Sequence, residues 1–289
     1  MKPHAVGRPL ILVTRPQEPG RDLAARLRGA GLDALWWPAF DLLPPADPAP
    51  LRACVARLAQ FDLVVFVSPA AVRAFALALP GEWPTATAIG AVGAATASAA
   101  RALLAGAGGA RIHCPCGDAV ADAGSEALWQ ALQRLSPAPQ RILIVRAQGG
   151  RQWLIDRLLA TGAQVEQAVA YLRLAHVPSP AQCAALRASQ AARSRLAVLF
   201  SSSEAVPAVM QQLAGDPTLA GALRGAIALC VHPRIEQALR AAGYADVRGC
   251  EPEAESIRAA LALGLGASAP GTASGAHAPA APTERSRIS

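Results

Sequence analysis

The chain has 289 residues, of which 53% are hydrophobic and 16% charged, and its formal net charge is +7. This length favours two domains, and the apolar content excludes a chain that is disordered throughout. No segment is long and apolar enough for a transmembrane helix, and the apolar run before Arg15 is too short for the core of a signal peptide. We therefore predict a cytoplasmic protein that does not enter a membrane.

The basic residues suit an anionic partner. Of the 27 lysines and arginines only Lys2 is a lysine, and the guanidinium group of arginine binds carboxylates and phosphates with two parallel hydrogen bonds. Codon bias in a GC-rich genome would produce the same composition. The arginines neither form runs nor alternate with aromatic residues, so no nucleic-acid partner is predicted.

Six cysteines have no regular spacing, and we expect free thiols in a cytosolic chain of this size. His113, Cys114 and Cys116 could form half of a metal site. The chain has no second pair of cysteines or histidines at the spacing that a complete site needs, so no metal is predicted.

In the first half of the chain, three segments each combine a short apolar run with a helical pattern. Residues 11–31, "ILVTRPQEPGRDLAARLRGAG", predict a strand, a turn and a helix. Residues 61–79, "FDLVVFVSPAAVRAFALAL", predict a strand, a turn at Ser68 and a helix, and residues 88–103 repeat the pattern. Such units are typical of parallel strands covered by helices on both faces.

The second half contains a counterpart of each unit. Residues 142–162, "ILIVRAQGGRQWLIDRLLATG", align with the first unit without a gap, so that Ile142, Arg146 and Gly162 match Ile11, Arg15 and Gly31. Residues 195–213 match the serine-turn unit, with Ser201, Ser202 and Ser203 in the turn, and residues 226–243 match the third unit more weakly. The recurrence predicts two similar α/β domains.

The order of the units predicts that one domain is inserted in the other. The opening unit precedes the first serine-turn unit, but its copy at Ile142 follows that unit, which a tandem duplication would not produce. We predict two parallel-sheet domains of flavodoxin-like or Rossmann-like type, joined by a two-stranded linker. The first comprises residues 1–40 and 175–263 and the inserted one residues 41–174, whereas residues 264–289, rich in Ala, Pro, Ser and Gly, form a disordered tail.

Ligands of such sheets bind where the strand C-termini meet helix N-termini. The loops at these places contain neither a dinucleotide fingerprint nor a phosphate-binding P-loop. Residues 148–151, "QGGR", form a candidate anion site, because glycines let backbone amides approach a ligand and Arg151 adds charge. Ser202 and Ser203 are candidate site residues, with helix capping as the alternative. An enzyme with these loops would act by positioning a reactive substrate.

Taken in order, these motifs resemble those of the uroporphyrinogen-III synthase family. The likeness covers residues 10–261 and rests on "LVTRP", "FVSPAAV", "AVGAATASA", "ILIVRAQGGR", "LFSSSEAV" and "EPEAESI". It implies two α/β domains with the active site in the cleft between them, and hydroxymethylbilane, a linear tetrapyrrole with eight carboxylates, as the substrate. The implied reaction removes water, closes the ring and inverts ring D through a spiro intermediate, with no cofactor.

The resemblance also implies roles for individual residues. Tyr171 matches the family's tyrosine, which is thought to help the hydroxyl leave, although it could merely pack in the linker. Thr96 matches a cleft-facing threonine that could instead be a helix cap. The remaining candidates are proposed to contact substrate, with pairing to local acids as the alternative for the arginines: Arg15, Ser68, Arg146, Arg151, Ser202 and Ser203.

One loop departs from the family pattern. His232 stands where the family has glycine and Ile235 where it has threonine, so the threonine's role cannot be transferred. His232 or Arg234 could supply a replacement donor, or the loop could bind through its backbone.

Two other functions remain open on this sequence. One is a hinged two-domain binding protein for a small anionic effector, and the other is a two-lobed glycosyltransferase. The first would accompany a helix-turn-helix segment and the second an acidic nucleotide-sugar motif, and we find neither.

We predict a monomer, because no unit leaves an apolar face unused.

Overall fold

The computed structural model describes residues 8–115, 124–192 and 194–263. The strands in these residues are β1 (Leu10–Val13), β2 (Ala34–Trp36), β3 (Phe40–Leu43), β4 (Leu63–Phe66), β5 (Ala88–Ala91), β6 (Ile112–His113), β7 (Arg141–Ala147), β8 (Gln164–Ala175), β9 (Leu196–Phe200), β10 (Ile227–Cys230) and β11 (Val247–Gly249). The α-helices are α1 (Gln17–Gly29), α2 (Ala49–Ala56), α3 (Pro69–Ala78), α4 (Ala94–Leu103), α5 (Ser125–Leu132), α6 (Trp153–Leu159), α7 (Pro180–Ala191), α8 (Ala205–Gln212), α9 (Pro217–Arg224), α10 (Pro233–Ala241) and α11 (Ala254–Ala262).

The first sheet is built from both ends of the described chain. Its order is β11-β10-β9-β1-β2, and all of its pairs are parallel. The alternating side chains of β1 enter different cores, Leu12 beside Val198 on one face and Ile11 beside Leu199 on the other. Because helices bury both faces of the sheet, the strand sequences are continuous apolar runs. We call residues 8–39 and 176–263 the outer lobe.

The second sheet is built from the middle of the chain, which we call the inserted lobe (residues 40–175). Its order is β3-β8-β7-β4-β5-β6, with parallel pairs except for β3 against β8. Aromatic side chains fill one of its two cores, where Phe66 packs edge-on against Phe75 with ring centres 5.3 Å apart and both contact Trp83. The predicted fold class is confirmed, whereas the domain boundaries stay a prediction.

The chain passes between the lobes along the antiparallel pair β3 and β8. In this pair Phe40 lies opposite Ala175 and Leu43 opposite Leu172. The strand β8 has 12 residues, and its first part is also paired with β7. The β7–β8 register shifts between Arg146 and Ala147, as a β-bulge does, so that Ala147 lies opposite Tyr171. A bulge changes the direction of nearby side chains, and here it adjoins the residues that form the cleft.

The glycines that end the aligned repeat units have the same backbone conformation. Gly31 follows α1 with φ +78°, and Gly162 follows α6 with φ +84°. A left-handed residue after a helix is usually glycine, because a Cβ atom strains that conformation. The predicted match between the two units therefore extends to the turn that leaves each helix.

Candidate functional site

A cavity of about 460 Å³ lies between the lobes at the C-terminal ends of their strands. The outer lobe contributes Arg15, which follows β1, and Ser202, which follows β9. The inserted lobe contributes Ser68 and Arg73, at the beginning and in the middle of α3, and Tyr171 of β8. Because the strands are parallel, the loops that follow them lie at one edge of each sheet. The loops of the outer lobe and those of the inserted lobe line the same cavity from opposite sides.

Tyr171 lies in the wall of this cavity with 8% of its surface exposed. Its phenolic oxygen is 3.0 Å from the hydroxyl oxygen of Ser68, and either group can be the donor. Ser68 is the N-cap of α3, where its side chain accepts a hydrogen bond from the Ala71 amide at 3.0 Å. Ser68 therefore caps the helix, and the same hydroxyl also contacts Tyr171.

A second cavity, of about 220 Å³, shares Ser68 and Tyr171 with the first. The glycine loop between β7 and α6 forms part of its wall, and Gly149 and Gly150 have φ of +75° and +95°. A Cβ atom at Gly150 would lie 3.0 Å from a terminal nitrogen of Arg146. Glycine is needed here both for the backbone conformation and for the approach of the arginine.

Arg146 lies in β7 with 6% of its surface exposed, under this loop. Its guanidinium group donates to the side-chain oxygens of Gln152 and Gln167 and to the carbonyl of Gly149. Burial, and secondarily repulsion from Arg173, lowers its pKa. Its hydrogen-bond partners in the described residues are neutral, so the buried charge lacks a carboxylate partner there.

Arg15 and Arg73 also lack a carboxylate partner. Neither takes part in an ion pair with another described residue, and Nε of Arg73 is buried without a hydrogen-bond partner in that part of the chain. Burial is the largest cause that lowers the pKa of each. Like Arg146, they present positive charge to a shared cleft.

Other cleft arginines are paired with acids. Glu126 of α5 receives a hydrogen bond from Arg151 in its own lobe and another, at 3.5 Å, from Arg234 of the outer lobe. Although burial raises the pKa of Glu126, the hydrogen bond from Arg151 and the nearby positive charges bring it below its ordinary value. Arg173 of β8 pairs with Glu204, beside the second serine turn. The alternative of local pairing thus applies to Arg151, whereas Arg234, considered as a replacement donor, pairs with an acid of the other lobe.

The second serine turn contributes through Ser201 and Ser202, which line the larger cavity. The Ser202 hydroxyl accepts a hydrogen bond from the Ala205 amide at 3.3 Å. Ser203 accepts one from the Val206 amide through its backbone carbonyl. Capping alone does not describe this turn, because the N-cap of α8 is Glu204.

The departing loop, like its counterpart in the inserted lobe, ends at the N-cap residue of a helix. His232 is the N-cap of α10, and its Nδ1 accepts a hydrogen bond from the Arg234 amide at 3.0 Å, whereas Gly93 is the N-cap of α4. Thr96 and Ile235, three residues later in each unit, are 3% and 5% exposed. Thr96 is therefore not the helix cap, and both side chains are buried under the first turn of their helices.

Two cleft arginines were not identified from the sequence. Arg173 is two residues after Tyr171, and strand alternation puts both side chains on one face of β8. Arg73 shares the helical face of Ala70 and Ala74, which line a neighbouring cavity with it. Both periodicities were available in the sequence, but neither indicates which arginine lacks an acid partner.

Within the described residues, no group of three metal-ligating side chains comes together. Cys116, one member of the cluster considered above as half of a metal site, and the tail of residues 264–289 lie outside the described residues. In the part of the chain that the structure describes, no helix has both the length and the apolar character needed to cross a bilayer.

Comparison with known proteins gives a consistent result. The family model for uroporphyrinogen-III synthase HemD matches residues 21–259. A uroporphyrinogen-III synthase from Synechococcus elongatus is 31% identical over 71% of this chain and 75% of its own length. Those of Salmonella typhimurium and Escherichia coli are 36% and 34% identical over 57% of this chain, a match that spans 65% of each relative's length.

Solved structures support the fold. A mutant uroporphyrinogen III synthase from Thermus thermophilus matches 89% of this chain and all of its own with a TM-score of 0.58 at 20% identity. The Helicobacter pylori uroporphyrinogen-III synthetase matches 89% of this chain and all of its own with a TM-score of 0.50 at 15% identity. The extent of the family-model match and the Synechococcus relative show that the chain belongs to the uroporphyrinogen-III synthase family.

Proposed function

We propose that this protein is a uroporphyrinogen-III synthase, a cofactor-free hydro-lyase of heme biosynthesis. It converts hydroxymethylbilane into uroporphyrinogen III and one molecule of water. The observation that carries the proposal is the Tyr171 phenol at the wall of an interlobe cleft in which Arg15, Arg73 and Arg146 have no carboxylate partner among the described residues. Family membership supports the same reaction.

The arginines are proposed to bind the carboxylates of the substrate. A hydrogen bond between charged groups contributes about 1.5–3 kcal/mol when it is shielded from water, and less when it is exposed. Arg15, Arg73 and Arg146 are at least partly buried and unpaired with acids, so a carboxylate ligand restores the counter-charge that the described residues do not supply. The chain ends are thereby held in one cleft, which favours ring closure by positioning.

Tyr171 is proposed to protonate the departing hydroxyl group. The C–O bond breaks, the proton goes from the phenol to the hydroxyl, and water leaves an azafulvene carbon. That carbon then forms a bond with the substituted position of ring D, giving the spiro intermediate. There the older bond from this position to the carbon that bridges rings C and D breaks, and the bridging carbon bonds instead to the free α-position of ring D, which inverts the ring. Loss of the last proton from the macrocycle returns it to the phenolate, while the hydroxyl of Ser68 can stabilise that phenolate by a hydrogen bond.

We propose that the protein works as a monomer in the cytoplasm, with the linear tetrapyrrole as its partner. Ser202, Ser203 and His232 are proposed to meet the ligand from the outer lobe, where Ser202 lines the larger cavity and His232 is the N-cap of α10.

The test is to generate hydroxymethylbilane in situ, add the full chain, oxidise the products and separate the porphyrin isomers by chromatography. Type III should form faster than the spontaneous type I isomer. Type I alone, at the rate measured without protein, would reject the proposal and favour an anion-binding protein. Arg101→Gln, which removes one exposed arginine of α4, is the matched control and should behave like the wild type.

A further inference from the structure

Arg15 and Arg73 approach one cavity from different lobes. Arg15 follows β1 of the outer lobe, Arg73 lies in α3 of the inserted lobe, and both line the cavity that Tyr171 borders. In the described residues neither side chain is hydrogen-bonded to another side chain or paired with an acid, and Nε of Arg73 is fully buried. Two positive groups that share a cavity without a counter-ion leave a site suited to an anion.

The backbone around Arg15 is held in place independently of any ligand. Its carbonyl oxygen accepts a hydrogen bond from the indole of Trp36 at 2.9 Å, and a Cβ atom at Gly20 would lie only 1.8 Å from that oxygen. Gln17 has φ +55°, which is uncommon for a residue other than glycine, and its side chain donates to the Leu42 carbonyl across the lobes. The loop is thus fixed while the guanidinium it carries has no partner among the described residues.

The charge of Arg73 also affects Arg15. Burial lowers the pKa of Arg15 most, and repulsion from Arg26 and then Arg73 lowers it further. Burial lowers the pKa of Arg73, which the neighbouring Tyr171 partly offsets. An anion between the two side chains removes the repulsion and supplies the missing hydrogen-bond acceptors.

We propose that Arg15 and Arg73 together bind one carboxylate of the ligand and so hold the two lobes around it. This inference rests on the proposed function for the identity of the ligand, a tetrapyrrole polycarboxylate. It assigns to Arg73 a role that the sequence motifs do not reveal, and it makes the two arginines one subsite beside the Tyr171 phenol. A carboxylate bound there bridges the lobes next to the reacting end of the chain.

A double-mutant cycle tests the shared carboxylate. The probe is uroporphyrin I, an octacarboxylate whose binding is followed by its fluorescence, with wild type, Arg15→Gln, Arg73→Gln and the double variant. Each single variant should weaken binding about 10-fold or more, and the double variant should be little weaker than either, because each loss already breaks the shared site. Losses that multiply would show two independent contacts and overturn the proposal.

Unfolding measurements separate binding from a structural role. Without ligand, Arg73→Gln should unfold at the wild-type temperature or higher, because the variant removes an uncompensated charge. With uroporphyrin I, its gain in unfolding temperature should be smaller than that of the wild type. Arg73→Lys keeps the charge but cannot donate two parallel hydrogen bonds to one carboxylate. Its gain in unfolding temperature with uroporphyrin I should lie between those of the wild type and Arg73→Gln. A ligand-free Arg73→Gln protein that is less stable than the wild type would contradict the proposal.

Failure of this inference differs from failure of the proposed function. The isomer assay on wild-type protein tests the activity, whereas the cycle tests one subsite. If type III product forms, but the losses of uroporphyrin I affinity in the two single variants multiply in the double variant, only the shared subsite is overturned. If only type I product forms, and the double variant binds uroporphyrin I little more weakly than either single variant, the subsite is supported and the synthase activity is rejected. Arg101→Gln carries the same charge change outside the cleft and should leave probe binding unchanged.

Discussion

The hydroxyl oxygen of Ser68 and the phenolic oxygen of Tyr171 lie 3.0 Å apart. Ser68 begins α3 and is held by the Ala71 amide, whereas Tyr171 follows the register shift in β8. The contact therefore joins a helix start to the linker strand, and it orients the phenol at the cleft wall. No charged side chain in the described part of the chain is hydrogen-bonded to the phenol. The Tyr171 hydroxyl is thus positioned to act on a ligand in the cleft.

Tyr171→Phe should lower type III formation by about 10²- to 10⁴-fold, the usual effect of removing a general acid. The free energy of unfolding should change by only about 1 kcal/mol, because a single hydroxyl contact is lost. Product analysis and urea unfolding check the two expectations. Wild-type turnover in the variant would remove the acid role from Tyr171.

The second tyrosine of the chain provides the matched control. Tyr244 is 4% exposed, and its hydroxyl has no hydrogen-bond partner in the described residues. Burial raises the pKa of this phenol. Tyr244→Phe should keep full activity and be as stable as the wild type or more stable, by up to about 1–3 kcal/mol, because an unpaired buried hydroxyl is removed. A large loss of activity would show that the assay responds to packing changes.

Glu126→Gln and Glu204→Gln should each lower KM for the linear tetrapyrrole. The two carboxylates pair with arginines beside the cleft that a carboxylate ligand could otherwise bind, and Glu126 contacts both lobes. Partly exposed ion pairs contribute about 0–1 kcal/mol, so each KM should fall by at most about 5-fold with little change in unfolding temperature. Steady-state kinetics measures this, with Glu236→Gln as the control because its pair with Arg240 lies within α10. A raised KM in both cleft variants would contradict the expectation.

Ile235→Thr should destabilise the outer lobe and bring no gain in activity. Ile235 is 5% exposed and belongs to the outer-lobe core with Leu239. A buried hydroxyl without a good partner costs about 1–3 kcal/mol, whereas the control Ile235→Val should cost about 0.5–1.5 kcal/mol. Thermal unfolding and the isomer assay follow both variants. A large rise in turnover for Ile235→Thr would show that this position reaches the ligand.

Asp246→Asn should reduce stability at neutral pH, and the reduction should vanish in acid. Hydrogen bonds from Arg248, at 2.6 and 2.5 Å, hold the pKa of Asp246 below its ordinary value of 3.8 although burial opposes this. A lowered folded-state pKa stabilises the protein above 3.8, and that contribution is lost as the pH falls through the folded-state value. Urea unfolding from neutral pH to below 3.8 measures the difference. The exposed Asp22→Asn serves as the control. A difference that persists at the lowest pH would contradict the assignment to this ion pair.

The fold could be predicted from the sequence because the repeats carry strong local signals. Apolar runs such as those that begin at Ile11 and Ile142 lie in β1 and β7, and the glycines after the helices occupy left-handed turns. The permuted order of the units then leaves few ways to connect two parallel sheets. Short edge strands such as β6 and β11 have weaker patterns, since edge positions need little apolar surface.

The charge arrangement of the cleft could be predicted only in part. Arg15, Arg146 and Arg151 were identified by their place in the motifs, but the structure distinguishes Arg151, paired with Glu126, from the other two. That difference depends on α5 lying beside the glycine loop. Pairing between α5 and the loop after β7 is a tertiary property, which no local periodicity of the sequence reveals.

The strand order also has a consequence for synthesis on the ribosome. In the outer sheet β1 lies between β2 and β9, and β9 begins at Leu196, after the whole inserted lobe has been made. Domains generally fold as units while the chain emerges, so the inserted lobe can complete its sheet first. Until Leu196 appears, one edge of β1 has no neighbour, and the nascent chain carries an apolar N-terminal segment that chaperones can bind.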